Sequence, residues 1–310
     1  MSLPMALVIT GPTASGKSAL AYELANRFPV EVINLDSAQV YQGLDIGTAK
    51  PTLTIQNQVP HHLLDIREPT QPYTAFDFCR DARLAIEAIT RRGRVPLLVG
   101  GTMLYLKALR EGIAAMPPAD SRIRDKILAE ATKVGWSAVH DRLQTVDPIA
   151  AARIKPTDRQ RLQRALEVHE LTGETITQLH AKGQKGMANQ LVEVAIVPEE
   201  RSELHQKIAE RFDDMLDRGF VDEVNSLRSR FELDAALPAM KAVGYRQVWQ
   251  YLEGELDAAA MREKGIIATR QLAKRQFTWL RSFASVRSLS GPSVDQLLKI
   301  EEVANILNRA

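Results

Sequence analysis

Leu7-Val8-Ile9-Thr10-Gly11-Pro12-Thr13-Ala14-Ser15-Gly16-Lys17-Ser18 runs from an apolar stretch into G-x-x-x-x-G-K-[ST], and Ala19-Leu20-Ala21-Tyr22-Glu23-Leu24-Ala25 continues with helical spacing. The motif has physical content only between a buried strand and a helix, and both flanks are present. Glycine lets the backbone close round a phosphate chain, and the N–H groups that open the helix point at the anion. Lys17 adds a mobile positive charge, and the Ser18 hydroxyl stands where a Mg2+ ligand is needed. A glycine turn that matches by chance is the bland alternative, and the flanking elements speak against it. A phosphorylated ligand is expected here.

The next apolar run, Val30-Glu31-Val32-Ile33-Asn34-Leu35, reads as a second strand and delivers Asp36-Ser37-Ala38-Gln39 at its C-terminal end. Ligands of open parallel sheets bind at that end. Arg94-Val95-Pro96-Leu97-Leu98-Val99 supplies another strand, followed by Gly100-Gly101-Thr102. Many P-loop hydrolases carry an aspartate there to hold the metal and order water. Its absence leans away from a nucleotide-hydrolysing motor. Glycines there suit a close approach of ligand to backbone or a tight helix entry. Between these strands, residues 61–66 read as a short strand. Neighbouring histidines on a strand face opposite ways, so His61 and His62 are read as structural and not as a metal pair. Residues 76–91 have helical spacing, with Cys79 read as packing.

Residues 112–118 read as a linker, and helices with many charges follow from Asp120. Leu162, Ala165, Leu166 and His169 make one apolar stripe that leaves Gln160, Gln163 and Arg164 facing elsewhere. Residues 182–189 read as an exposed loop, residues 191–197 as a strand, and everything beyond Pro198 as helix. The expected fold is α/β: a P-loop NTPase-like parallel sheet core flanked by helices, with an all-helical insertion domain. The core would be residues 1–114 and 189–310, and the insertion residues 115–188. The 310 residues suffice for such a core. A net charge of +2, from 40 basic and 38 acidic residues, makes no general case for nucleic acid. Cys79 is the sole cysteine, so no intrachain disulfide forms and a reducing, cytoplasmic compartment is expected. No apolar run approaches membrane-spanning length, and no leader is read at the start.

Two basic clusters stand out locally. One comprises Arg153, Lys155, Arg159, Arg161 and Arg164; the other runs from Lys264 to Arg287 without an acidic residue, interleaved with Phe277, Trp279 and Phe283. Cationic grooves with stacking aromatics suit single-stranded or loop RNA, whereas solvated helix faces have the same composition. Composition leaves both readings open.

The P-loop followed by Asn34-Leu35-Asp36-Ser37-Ala38-Gln39-Val40-Tyr41 resembles the signature of the tRNA dimethylallyltransferases. The resemblance continues through Asp45-Ile46-Gly47-Thr48-Ala49-Lys50-Pro51, Pro60-His61-His62-Leu63-Leu64-Asp65, Val99-Gly100-Gly101-Thr102 and Asp158-Arg159-Gln160-Arg161. It ends with Lys241-Ala242-Val243-Gly244-Tyr245-Arg246 and Thr269-Arg270-Gln271-Leu272-Ala273-Lys274-Arg275-Gln276. These blocks stand in family order over residues 6 to about 283. After about residue 287 nothing is recognisable.

The resemblance implies transfer of a dimethylallyl group from its diphosphate to N6 of adenine 37, beside the anticodon. Gly11, Pro12, Thr13, Ala14, Ser15, Gly16, Lys17 and Ser18 would hold the diphosphate, with Mg2+ at Ser18 and Thr13 touching the donor phosphates. Asp36 would accept the amine proton, and Arg211 would clamp the diphosphate. Contacts to the tRNA anticodon stem-loop are implied at Asp36, Ser37, Ala38 and Gln39, and at Thr102 and Arg124. The resemblance adds Gln160, Arg161, Leu162, Gln163 and Arg164 in the insertion, and Lys241, Ala242, Val243, Gly244, Tyr245 and Arg246. The target base would be flipped out to reach the donor. A monomer without membrane association is expected. Two other readings share parts of this sequence: a P-loop small-molecule kinase, and a non-catalytic RNA-binding protein that uses the P-loop as a nucleotide switch.

Overall fold

The computed structural model describes residues 5–283 and 285–308, and of Gln184 only the backbone. The chain begins β1 (Ala6–Thr10), α1 (Lys17–Arg27), β2 (Val30–Asn34), α2 (Leu53–Gln58), β3 (His61–His62), α3 (Ala75–Arg91) and β4 (Val95–Val99). There follow α4 (Met103–Glu111), β5 (Gly112–Ile113), α5 (Ser121–Val146), α6 (Pro148–Ala151), α7 (Arg159–Thr172), α8 (Ile176–Ala181) and β6 (Gln184–Lys185). A 3-10 turn (Ala188–Gln190) leads into β7 (Leu191–Ile196), α9 (Arg201–Asp217) and α10 (Phe220–Arg230). The chain continues with α11 (Tyr245–Leu252), α12 (Ala258–Ser282), β8 (Arg287–Leu289), α13 (Val294–Leu297) and α14 (Glu301–Leu307). It divides into two compact units, Met1–Arg110 with Met187–Ala310, and Glu111–Gly186.

In the first unit six strands form one sheet in the order β3-β2-β4-β1-β7-β8, every neighbour parallel. All residues of β1 and β2 are buried; β1 is apolar but for Thr10, whereas β2 buries Glu31 and Asn34 among its aliphatic residues. Strand order positions the site. β4 lies between β1 and β2, so the P-loop, Gly100-Gly101-Thr102 and Asp36 leave adjacent strands at their carboxyl ends. Two strand spacings, roughly 10 Å, separate the β1 exit from the β2 exit.

The glycines after β4 answer to protein neighbours. A Cβ on Gly100 would stand 2.1 Å from the Leu35 carbonyl oxygen, and one on Gly101 would stand 2.4 Å from Gln276 Nε2. The strand expected at residues 61–66 stops after His62, because Leu63 and Asp65 take left-handed backbone (φ 64° and 54°). His61 Nδ1 lies 2.6 Å from the Val59 carbonyl, and His62 Nε2 lies 2.7 Å from Glu31 Oε2; the two rings have separate partners. Cys79 is buried, and burial pushes its thiol up to about 11, the behaviour of a packing residue.

The C-terminal expectation needs correcting. Residues beyond Pro198 are not all helical: β8 pairs with β7, Ser288 opposite Ala195. The unrecognised last residues then supply Val294, Leu297, Val303, Ile306 and Leu307 to the main core, beside Leu20 and Leu24 of α1. Three strand residues between a basic helix and a proline carry too little periodicity to read.

In the second unit, the expected linker and the expected loop meet as the antiparallel pair β5–β6. Pairing over 70 residues of intervening chain has no local signature. α5 is broken at Gly135, whose φ of 85° and ψ of 157° are not helical. α5 and α7 bury Ile127, Val139, Leu143, Leu162, Ala165 and Leu166 together. Glu167, with no exposed surface, receives Arg124 (2.9 Å), Arg164 (2.7 Å) and the Asp120 N–H (2.8 Å). Those partners hold its carboxyl below the usual range against the opposing effect of burial.

Candidate active site

The P-loop geometry follows from three residues that accept positive φ: Gly11 (147°), Ala14 (62°) and Gly16 (90°). A side chain on Gly11 would meet the Ile196 carbonyl oxygen at 2.5 Å, so β7 fixes the loop from outside. Gly16 caps α1 without a side-chain bond, leaving the first helical N–H groups directed at the loop's mouth. Lys17 Nζ donates to the Pro12 carbonyl at 2.6 Å. Burial first and Arg211 second bring its amine down to about 7, against the opposing charge of Asp36. Ser15 is buried, and its Oγ has no hydrogen-bond partner among the described residues. Ser18 is exposed at the helix start.

Gln276 of α12 ties this loop down. Its Oε1 accepts from the Thr13 N–H at 2.8 Å, and its Nε2 donates to the Gly101 carbonyl at 2.8 Å. It is 6% exposed, so one buried amide joins the loops after β1 and β4. Sequence reading gave Gln276 no role; a glutamine on the apolar side of a basic helix is the signal available.

Asp36 sits beyond β2 with both its backbone and its carboxylate held. Its N–H donates to Asn34 Oδ1 and its Oδ1 accepts from the Ala38 N–H, at 3.0 and 2.8 Å. The Thr102 hydroxyl accepts from the Ser37 N–H (2.9 Å) and lies 3.2 Å from Ser37 Oγ. Gln39 points away, its Nε2 donating to the Thr48 carbonyl at 3.1 Å. The same carbonyl accepts from Arg211 at 3.4 Å. Burial lowers the Arg211 guanidinium and the Asp36 charge offsets part of that.

Some of these groups line one cavity of about 390 Å³, whose lining does not include Ser15, Lys17, Ser18 or Gln39. Thr13, Asp36, Ser37, Thr102 and Arg211 give it polar walls, with Ala14 of the P-loop beside them. Met103, Leu104, Ile208, Phe212, Met215 and Leu272 give it apolar ones. Ile208, Arg211, Phe212 and Met215 are i, i+3, i+4 and i+7 on α9, so one helix presents a cation and an apolar wall together. Lys241, Ala242, Val243, Gly244 and Tyr245 line it also, while Arg246 is exposed and outside the lining. An anion-binding loop, a carboxylate and an apolar wall in one cavity suit transfer of an apolar group away from a phosphate.

The second unit carries the remaining candidates. Gln160 and Arg161 are exposed at the start of α7, with Arg161 paired to Asp158 at 3.2 Å. Gln163 donates to the Arg124 carbonyl, and Arg164 donates to the Pro117 carbonyl besides Glu167. Leu162 has no exposed surface and is a core residue of that unit.

With this geometry, residues 39–283 match the family described as IPP transferase, and residues 4–68 match isopentenyl transferase. The chain belongs to the IPP transferase family. A tRNA dimethylallyltransferase of Thiobacillus denitrificans is 52% identical over 289 residues, 93% of this chain and 92% of that protein. The solved tRNA isopentenylpyrophosphate transferase of Bacillus halodurans is 35% identical with a TM-score of 0.69, covering 99% of this chain and 97% of that one. A eukaryotic dimethylallyltransferase, described as acting on tRNA, has a TM-score of 0.76 at 27% identity. It covers 97% of this chain and 77% of its own. Family membership makes the chain a prenyl transferase and extends beyond the P-loop, since the IPP transferase match begins after it.

Proposed function

We propose that this protein transfers a dimethylallyl group from dimethylallyl diphosphate to N6 of adenine 37 beside the anticodon of tRNA, releasing diphosphate. The observation that carries the reading is the single cavity in which Thr13 and Ala14 of the P-loop, Arg211 and Asp36 share one space with an apolar wall. The N6–C1 bond forms as the C1–O bond to diphosphate breaks, and the N6 proton goes to the Asp36 carboxylate. P-loop N–H groups, Lys17 and Arg211 meet the charge that grows on the departing diphosphate. The orphaned Ser15 hydroxyl would be satisfied by a phosphate oxygen.

The donor chemistry also fits Mg2+. Mg2+ is usually held by one or two protein oxygens together with substrate phosphates. The described residues offer no group of three or more metal-binding His, Cys, Asp or Glu side chains, and Ser18 at the mouth of the loop would be the protein ligand. When bound, the ion would neutralise charge on the diphosphate.

On the acceptor side, Asp36, Ser37, Ala38, Thr102 and the 241–246 segment would take the flipped adenine. Gln160 and Arg161, exposed at the start of α7, would meet the stem-loop phosphates, whereas Arg124, Gln163 and Arg164 are engaged within the insertion by Glu167, the Arg124 carbonyl and the Pro117 carbonyl. No described helix is long and apolar enough to cross a membrane, and the cytoplasm is the proposed compartment. The kinase reading loses ground at Gly100: an aspartate after β4 would drive its Cβ into the Leu35 carbonyl. Thermal unfolding tests the whole reading. Dimethylallyl diphosphate with Mg2+ is expected to raise the melting temperature more than ATP does at equal concentration, and to be consumed with tRNA. Stabilisation by ATP alone, with turnover to ADP, would return the kinase reading.

A further inference from the structure

The loop of residues 44–50 is held by an arrangement that the reaction above does not use. Three successive backbone N–H groups, of Asp45, Ile46 and Gly47, converge on the Glu223 carboxylate at 3.1, 2.6 and 3.3 Å. Consecutive N–H groups aimed at one point form a nest, the backbone device that often holds a phosphate. Here a side chain from α10 occupies it. The Tyr245 hydroxyl donates to the same carboxylate at 2.5 Å. Phe220 and Tyr245 press on the loop, since a Cβ on Gly47 would meet their rings at 2.1 and 2.7 Å. At the far side Lys50 donates to Asp45 Oδ1 and the Tyr41 carbonyl, at 2.7 and 2.8 Å.

What this fixed loop presents is the Thr48 carbonyl. The Thr48 hydroxyl donates to the Leu44 carbonyl at 2.7 Å, and its own carbonyl receives both Arg211 and Gln39. Arg211 stands near enough to Lys17 of the P-loop to lower its amine, and Gln39 follows Asp36, so one carbonyl serves both. An acid near the N-terminus of α10 needs no such purpose, because the helix dipole favours it there. Glu223 instead turns off its helix to satisfy the three N–H groups that precede Thr48.

We propose that Glu223 is a positioning residue: by filling the 45–47 nest it places the Thr48 carbonyl that aims Arg211 at the donor's diphosphate. The proposal rests on the donor reading of this cavity. A thermodynamic cycle between Glu223→Gln and Arg211→Gln tests it, with inorganic diphosphate as the probe and calorimetry as the measurement. Glutamine keeps the size but turns an amide N–H2 against backbone donors. Glu223→Gln is expected to weaken diphosphate binding about tenfold, the scale of one charge-assisted hydrogen bond. Arg211→Gln should weaken it more, and the double variant should be no weaker than Arg211→Gln alone. Multiplying effects, or unchanged affinity in Glu223→Gln, would overturn the proposal, because independent sites add in free energy. Should Glu223→Gln not fold, Tyr245→Phe, which removes one of the four donors, replaces it under the same expectation with a smaller effect. Transfer to tRNA by the wild type is measured separately. Its failure, with a coupled cycle, would sink the substrate reading and leave the Glu223 role standing.

Discussion

Asp36 is the residue on which the chemistry turns. An adenine amine is a weak nucleophile until its proton has somewhere to go, so a carboxylate there gains its value in the transition state. Asp36→Asn is expected to lower the single-turnover transfer rate by about a hundredfold or more at saturating tRNA and donor, with donor affinity little changed. Retained rate with weakened Mg2+ or donor binding would make it a metal-side residue. Lys17 gives a different handle. Its amine is near 7 in the folded protein against 10.5 in the unfolded chain, so between those values the unfolded chain holds more protons. Its contribution therefore makes the apoprotein more stable as pH rises through that window, and below about pH 7 its burial penalty is present in full. A bound diphosphate restores the ammonium. Near pH 8.5, donor binding should take up a proton, visible as a binding enthalpy that changes with the buffer's ionisation heat. At this scale the motif residues were legible because their spacing is local. Arg211 had no signature of its own, being one cation on an amphipathic helix until α9 carries it into the cavity that Met103 and Thr13 also line.

At the scale of elements, α7 separates two arginines that look alike in sequence. Arg161 is exposed, and its partner Asp158 also caps the helix by accepting from the Arg161 N–H at 3.2 Å. Arg164 instead holds Glu167 and the Pro117 carbonyl. Arg161→Gln is expected to lower the slope of log affinity for tRNA against log salt by about 1, with stability unchanged. Arg164→Gln should destabilise the second unit, since it removes one of the partners of a buried carboxylate that keeps Arg124 and the Asp120 N–H, a loss of about 1–2 kcal/mol. Salt titration of tRNA binding and thermal unfolding of each variant distinguish the two. The apolar stripe of this helix was readable from Leu162, Ala165 and Leu166. The buried Glu167 was not, because its partner Arg124 lies in another helix and only folding brings them together.

For the whole molecule, the residues that resembled nothing are structural. Truncation after Val286 would remove β8, α13 and α14, and with them five buried aliphatic side chains. At about 1.5–3 kcal/mol each, these exceed or match the roughly 5–15 kcal/mol by which a domain is stable. The truncated chain is expected not to fold, as judged by loss of its cooperative thermal transition. The loss would reach the site as well, because Pro292 packs where a Cβ on Gly16 would be, 2.8 Å away. The parallel core was legible in its apolar runs and the strand-end acid; its closing strand was too short to see.

The order β4-β1-β7 also has a consequence in time. β1 pairs with β7 from Ala6 opposite Leu191 to Thr10 opposite Ala195, so a nascent chain must hold that edge open until more than half its length has been made. The α5–α7 unit lies wholly between these strands and has a core of its own. On synthesis it should therefore acquire structure first, with the sheet that carries the P-loop closing after it. Pulsed hydrogen exchange during refolding should show α5 and α7 amides protected before those of β1 and β7; simultaneous protection would mean that the two units fold as one.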